Sequence, residues 1–161
     1  MNKTLYIIPG WQETTKRQSY QKLRLLAQKK GYSVIFHNID WKKPLSQQTL
    51  SVPKNSIVFG FSLGAILAWL IAQNNPCELL ILASMTPHKS FNDKTTKKAL
   101  IEITGKAMVS DIIKNLKTNH KALRQVILYG DKENEKADIL VKNTDHEITE
   151  NYLNEIKKIL K

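Results

Sequence analysis

One serine of this sequence stands where a hydroxyl could act as a nucleophile. Ser62 lies in the stretch SIVFGFSLGAILAWLIA (residues 56–72), with Gly60 and Gly64 two positions away on either side. The β-branched residues before the first glycine predict a strand, and the apolar residues after the second predict a helix. Glycines relieve crowding at a sharp turn, and the helix dipole favours negative charge beside the hydroxyl. The arrangement favours nucleophilic chemistry over a plain Gly/Ser turn.

A serine hydroxyl is a weak nucleophile until a base removes its proton, and histidine is the usual base. The sequence has four histidines: His37, His88, His120 and His146. His37 lies in or at the end of a predicted strand, and the next two lie in the polar middle region. His146 instead follows the last predicted strand and precedes the last predicted helix. Its position favours a role as base over that of a solvated loop side chain.

A carboxylate must orient the histidine and stabilise its protonated form. Asp131 and Glu133 both follow the predicted strand that ends at Tyr129, and Asp138 is more distant. Each is also an ordinary candidate for a solvated turn residue. The residues alone leave the choice of acid open.

The elements that must position these residues are short apolar runs alternating with amphipathic segments. Strands are predicted at 5–8, 32–38, 57–59, 78–83, 125–129 and 137–141, and helices at 19–30, 65–73, 94–103, 107–116 and 149–160. The pattern predicts a three-layer α/β/α fold with a doubly wound, mainly parallel sheet of about six strands. Ligands bind beyond the carboxyl ends of such strands. The residues expected to meet at that edge are Pro9-Gly10-Trp11, Ser62, 130–133 and His146.

Length and composition restrict the class of protein. A chain of 161 residues predicts one domain, residues 1–161. The single cysteine, Cys77, excludes an internal disulfide and leaves no cluster of metal ligands, so we expect neither metal nor cofactor. No apolar run approaches the roughly 20 residues of a membrane span, and the N-terminal apolar stretch is too short for a secretory signal. We therefore expect a cytoplasmic protein.

The formal net charge of +11 could indicate a nucleic-acid partner, but its distribution argues against one. Only Arg17, Arg24 and Arg124 of the 25 basic residues are arginine, the residue suited to bidentate recognition of phosphates and bases. The lysines are spread along the chain without interleaved aromatic residues. A solvated lysine-rich surface is favoured, with attraction of an acidic partner or substrate as a weaker alternative.

The run Gly60-Phe61-Ser62-Leu63-Gly64, between a strand and a helix, resembles the nucleophile elbow of the α/β-hydrolases. The resemblance extends from the first strand to the closing helix. It implies a minimal α/β-hydrolase fold that lacks the two leading strands of larger members. Residues 85–124 occupy the position of the family's cap and would form only a short crossover with two helices. An open, shallow site is expected.

The resemblance also assigns roles to the candidate residues. It implies a serine hydrolase that cleaves a carboxylic ester or thioester through an acyl-enzyme, with Ser62 as nucleophile and His146 as base. In the family the acid commonly stands three residues after the strand-ending glycine. From Gly130 that position is Glu133, where aspartate is more usual, and Asp131 remains the alternative.

The family's oxyanion hole consists of two backbone N–H groups. One belongs to the residue after the nucleophile, here Leu63. The other comes from the loop after the first strand, where this chain has Pro9-Gly10-Trp11 in place of the frequent His-Gly, so the donor would be the N–H of Trp11. Its indole could also form a wall of the acyl pocket.

The resemblance implies a small-molecule or acyl ester substrate, and three alternative functions remain. Gly10-Trp11 together with the elbow is similar to the pimeloyl-acyl-carrier-protein methyl ester esterases of biotin synthesis, which implies a carrier-bound acyl ester and an acidic carrier protein as partner. A non-catalytic binding protein on the same scaffold is a second alternative. A nucleic-acid-binding protein is a third, supported by charge alone.

Overall fold

The computed structural model describes residues 3–161 and shows five α-helices around one six-stranded sheet within that range. The strands are β1 (Thr4–Ile8), β2 (Ser33–Phe36), β3 (Ile57–Phe61), β4 (Leu79–Ala83), β5 (Arg124–Gly130) and β6 (Ile139–Val141). The helices are α1 (Gln18–Lys29), α2 (Leu63–Asn74), α3 (Lys94–Thr104), α4 (Lys106–Asn115) and α5 (Glu150–Ile159). Short 3₁₀ turns occur at Leu45–Gln48 and His88–Phe91.

The sheet has the strand order β2-β1-β3-β4-β5-β6, and every neighbouring pair is parallel. Because the order reverses beside β1, the chain winds outward from the centre in both directions. All carboxyl ends therefore lie at the same edge of the sheet. The predicted doubly wound parallel sheet of about six strands is confirmed.

Two apolar layers cover the two faces of the sheet. On one face α2 and α4 share a buried cluster with the 45–48 turn, and on the other face α1 and α5 share a second cluster. Helix α2 is buried from Leu63 to Ala72, so it is covered on all sides. This explains its lack of amphipathic periodicity, which is typical of a central helix rather than a surface helix. The three predicted layers are present.

The connection from β2 to β3 crosses β1 without an α-helix. Residues 37–56 instead form a loop that is anchored by the buried side chains of Leu45 and Val52. The Gln48 side chain donates hydrogen bonds to the carbonyls of Asp40 and Lys43. These internal contacts hold a polar segment in one conformation beside the first strand.

The region at the cap position, residues 85–124, contains a 3₁₀ turn and the helices α3 and α4. Helix α3 has no fully buried residue, whereas α4 buries Met108, Val109 and Ile112. The crossover therefore consists of one helix packed into the core and one that lies over the carboxyl edge of the sheet. That residues 1–161 form one domain remains a prediction.

Within residues 3–161, every helix is too short or too polar to pass through a lipid bilayer.

Candidate active site

Ser62 lies between β3 and α2 in a strained backbone conformation, with φ 56° and ψ −123°. Its N–H donates to the carbonyl of Ala83, which fixes the turn against β4. A Cβ atom at Gly60 would overlap the backbone of Gly64 and Ala65, and one at Gly64 would overlap the carbonyl of Pro9. The two glycines are thus needed for close approach of backbone on both sides of the serine.

His146 lies in the loop between β6 and α5 and reaches the serine. Its Nε2 is 2.9 Å from Ser62 Oγ. The ring packs against Phe61, with a centroid separation of 5.1 Å. The imidazole side chain is about half exposed, whereas Ser62 is 8% exposed. The pair can exchange a proton while remaining open to a substrate.

Glu133 is the carboxylate that the structure brings to His146. Its Oε1 is 2.7 Å from His146 Nδ1, and its Oε2 accepts hydrogen bonds from the Gly130 N–H and the Ser84 hydroxyl at 2.7 and 2.6 Å. Burial raises the pKa of Glu133, but the hydrogen bonds from His146, Ser84 and Gly130 outweigh it, so its pKa lies below the ordinary value. An ionised Glu133 can orient the imidazole and stabilise its positive form.

Asp131, the alternative acid, has a different role in the structure. Its carboxylate accepts the backbone N–H groups of Asn143 and Thr144, at 3.0 and 3.1 Å. These bonds hold the pKa of Asp131 below its ordinary value and tie down the start of the loop that carries His146. The more distant Asp138 accepts the N–H of Ile127.

The other three histidines make their contacts away from the serine. His37 Nε2 lies 2.8 Å from the carbonyl of Gln48. His88 and His120 pack edge-on against Trp69, with centroid separations of 4.6 and 4.8 Å. Only His146 among the four pairs with Ser62 in the described part of the chain.

The two predicted oxyanion donors flank the serine. Leu63 is the first residue of α2, and Trp11 lies in the loop after β1. Within residues 3–161, neither backbone N–H donates a hydrogen bond to another group of the protein. Gly10 lies close to the serine, because a Cβ on it would be 3.3 Å from Ser62 Cβ. Trp11, Ser62 and Leu63 all line the same pocket.

A pocket of about 290 Å³ opens beside Ser62 and His146. Its apolar lining consists of Trp11, Phe61, Leu63, Leu100 and Ile103. The last two belong to α3, so the crossover forms one wall. A larger and more open groove of about 920 Å³ runs along β6 and α5, but none of the predicted site residues lines it. The smaller pocket is the one joined to the serine.

Sequence reasoning missed a layer of residues that supports the site. The Ser84 hydroxyl contacts both Glu133 and, at 2.9 Å, the hydroxyl of Tyr152, which is also bonded to the Leu128 carbonyl. Ser84 is buried and has a positive φ of 44°. One signal was available, because Ser84 directly follows β4 at the same sheet edge as the predicted residues.

A second missed support holds the loop after β1. Glu13 accepts hydrogen bonds from the Gly10 N–H and the Tyr20 hydroxyl and forms an ion pair with Arg17. The Tyr20 hydroxyl also accepts from the Gly10 N–H at 3.0 Å. These contacts fix the position of the loop that carries Trp11. No sequence motif marked Glu13, which stands in a polar stretch.

The described residues contain no group of three or more His, Cys, Asp or Glu side chains arranged to hold a metal ion.

No protein-family model matches the sequence, and no curated protein matches it significantly. Solved structures do match. A protein from Agrobacterium vitis S4 assigned as a hydrolase superposes with a TM-score of 0.70 at 13% identity, covering 99% of this chain and 87% of its own. The mouse alpha/beta hydrolase domain-containing protein 10 gives 0.70 at 11% identity, covering 98% and 87%. Est1E from Butyrivibrio proteoclasticus gives 0.65 at 10% identity, covering 99% and 85%.

At these identities the likeness concerns the fold, and it extends over nearly the whole chain. The similarity to the pimeloyl-acyl-carrier-protein methyl ester esterases is unconfirmed, and that substrate remains a prediction. The shared architecture, the parallel six-stranded sheet and the elbow between β3 and α2 together support one conclusion: this chain has the α/β-hydrolase fold, in a minimal form.

Proposed function

We propose that this protein is a serine hydrolase that cleaves a carboxylic ester or thioester through an acyl-enzyme intermediate. The observation that carries the proposal is a continuous chain of hydrogen bonds from Ser62 through His146 to Glu133, with separations of 2.9 and 2.7 Å. Ser62, at one end of this series of hydrogen bonds, lines an open pocket. Hydrogen-bonded nucleophile, base and orienting acid form the arrangement that acyl transfer requires.

The geometry suggests a role for each group. Ser62 Oγ attacks the substrate carbonyl while His146 Nε2 takes its proton. Glu133, bonded to Nδ1, holds the ring and stabilises the imidazolium. The N–H groups of Trp11 and Leu63 bind the oxyanion of the tetrahedral intermediate. His146 then returns the proton to the leaving alcohol or thiol, and the same groups activate a water molecule that hydrolyses the acyl-enzyme.

A non-catalytic binding protein on the same scaffold would need no such alignment. It predicts a displaced His146 or a blocked serine, whereas Ser62 and His146 lie within hydrogen-bond distance and line the same pocket. In our proposal, residues 1–161 act as one domain, and the crossover at 85–124 contributes α3 as a wall of an open site.

Labelling with a fluorophosphonate probe tests the proposal directly, because the probe reacts only with an activated serine. We expect one label on the wild-type protein and none on Ser62→Ala. Hydrolysis of p-nitrophenyl acetate should fall by about 10³-fold or more in that variant, as in other serine hydrolases without their nucleophile. Ser33→Ala, at an exposed serine of β2, should keep both properties. Retained labelling or hydrolysis in a folded Ser62→Ala protein would refute the mechanism.

A further inference from the structure

We propose that the acyl site selects an uncharged acyl group of short to medium length, and that Ile103 on α3 is a specificity-determining residue for that length. The inference rests on the proposed hydrolase function and names the substrate class of the same site.

The first step concerns the apolar lining of the pocket. Trp11 and Phe61 come from the β1 loop and the elbow, and Leu100 and Ile103 lie one turn apart on α3. Ile103 is 59% exposed, so much of its apolar surface contacts solvent in the free protein. An alkyl chain bound in the pocket would cover that surface, and burial of each methylene favours binding.

The second step concerns charge. The whole chain carries 25 lysine and arginine residues, yet within residues 3–161 neither type lines the pocket. Among the described residues Glu13 is the single carboxylate of the lining, and its oxygens are already bonded to the Gly10 N–H, Tyr20 and Arg17. A carboxylate on the acyl chain would lose water without gaining a cationic partner, which is unfavourable. The pocket therefore rejects anionic acyl groups despite the basic surface.

The third step concerns volume. About 290 Å³ lies at the lower limit of the range for small-molecule sites. Taking about 30 Å³ for each non-hydrogen atom, the value for liquid water, the pocket holds on the order of ten such atoms. That is sufficient for an acyl chain of roughly four to eight carbons beside the reacting carbonyl, but insufficient for a long fatty acyl chain.

A series of p-nitrophenyl esters tests the length preference. From acetate to hexanoate we expect kcat/KM to rise roughly three- to four-fold per methylene, the gain expected for full burial, and to fall again for laurate. Ile103→Gln keeps the side-chain size but removes the apolar contact. It should lower the hexanoate-to-acetate ratio of kcat/KM about five-fold or more. Ile113→Gln is a matched control, since this residue lies on α4, is 39% exposed and does not line the pocket.

The charge preference is tested with p-nitrophenyl hemisuccinate against p-nitrophenyl valerate, which has a similar length. We expect kcat/KM for the anionic ester to be lower by about ten-fold, and equal or faster hydrolysis would overturn the charge argument. A hexanoate-to-acetate ratio that Ile103→Gln leaves unchanged would overturn the role of Ile103. Absence of Ser62-dependent hydrolysis of every ester would instead refute the proposed function, so the two failures are distinguishable.

Discussion

At the residue scale, the proposed mechanism gives the Glu133 carboxylate two tasks: it orients the His146 imidazole and supplies its counter-charge. If Glu133 stabilises the imidazolium of His146, Glu133→Gln should lower kcat by about 10²–10⁴-fold, because the amide keeps the shape but loses the counter-charge. Asp131→Asn is the control, since Asp131 binds the N–H groups of Asn143 and Thr144 and not the imidazole. Its kcat should stay within about three-fold of wild type. Steady-state kinetics that show the larger loss for Asp131→Asn would mean that Glu133 is not the acid.

The lowered pKa of Glu133 also predicts a dependence of stability on pH. A carboxyl group whose pKa is depressed in the folded state contributes stability above its ordinary pKa of 4.5, and the contribution is lost as pH falls through the folded value. Urea unfolding of wild type and Glu133→Gln should therefore show a difference in free energy at pH 6 that shrinks towards pH 3. A difference that stays constant or grows in acid would contradict the ionised, hydrogen-bonded state of Glu133.

Individual residues differ in how readily the sequence identifies them. Ser62 was identifiable because the two glycines that flank it, which the sharp turn requires for steric reasons, can be read directly from the sequence. The position of Ser84 directly after β4 is only a weak signal, because its contact with Glu133 arises only when β4 and β5 pair. The choice between Asp131 and Glu133 likewise depends on how the turn after Gly130 directs each side chain. Tertiary contacts decide these positions.

At the element scale, the strand–turn–helix unit at β3 and α2 depends on close backbone approach. A Cβ on Gly64 would lie 2.8 Å from the Ile8 carbonyl oxygen and would overlap that of Pro9. Gly64→Ala should therefore lower the free energy of unfolding by roughly 3 kcal/mol, as for an overpacked core, and should displace Ser62. Urea unfolding and esterase activity measure both effects.

Gly31→Ala is the matched control for the element prediction. Gly31 follows α1 with φ +85°, and a Cβ atom added to it would meet no heavy atom within 4 Å. Gly31→Ala should lower the free energy of unfolding by only about 1 kcal/mol, which is the cost of holding a residue with a Cβ atom in the left-handed conformation. A Gly64→Ala protein that is no less stable than Gly31→Ala would show that the elbow tolerates a side chain.

The sequence located each strand and helix, but strand ends were less accurate. A strand was predicted at 32–38, whereas β2 ends at Phe36, and one at 137–141, whereas β6 begins at Ile139. In both cases the ladder of paired residues sets the limit: Phe36, opposite Ile7, is the last paired residue of β2, and Ile139, opposite Leu128, is the first paired residue of β6. Apolar periodicity indicates which face is buried, but pairing determines length.

At the scale of the whole molecule, the lysine and arginine side chains are separated from the candidate active site. The 25 lysine and arginine residues exceed the 14 acidic ones by 11, yet none of them lines the pocket beside Ser62 in the part of the chain that the structure describes. The ion pairs that the lysines form are on the surface, such as Lys89 with Glu135 and Lys158 with Glu155. Pairs of this kind contribute little to stability. We therefore expect the excess positive charge to act mainly through mutual repulsion.

This separation predicts that salt affects stability and activity differently. Raising KCl from about 0.02 to about 0.3 M shortens the screening length and weakens repulsion among the lysines, which favours the compact state. A gain of about 1 kcal/mol corresponds to a rise in Tm of roughly 2–4 °C for a chain of this size. Over the same range kcat/KM for p-nitrophenyl acetate should stay nearly constant, because this ester is neutral and the described lining of the pocket holds no lysine or arginine. Thermal unfolding followed by circular dichroism and ester hydrolysis in the same buffers measure the two quantities. A Tm that falls with salt would show that the surface charges stabilise the fold through ion pairs. A steep loss of kcat/KM would mean that lysine or arginine residues take part in substrate binding or catalysis.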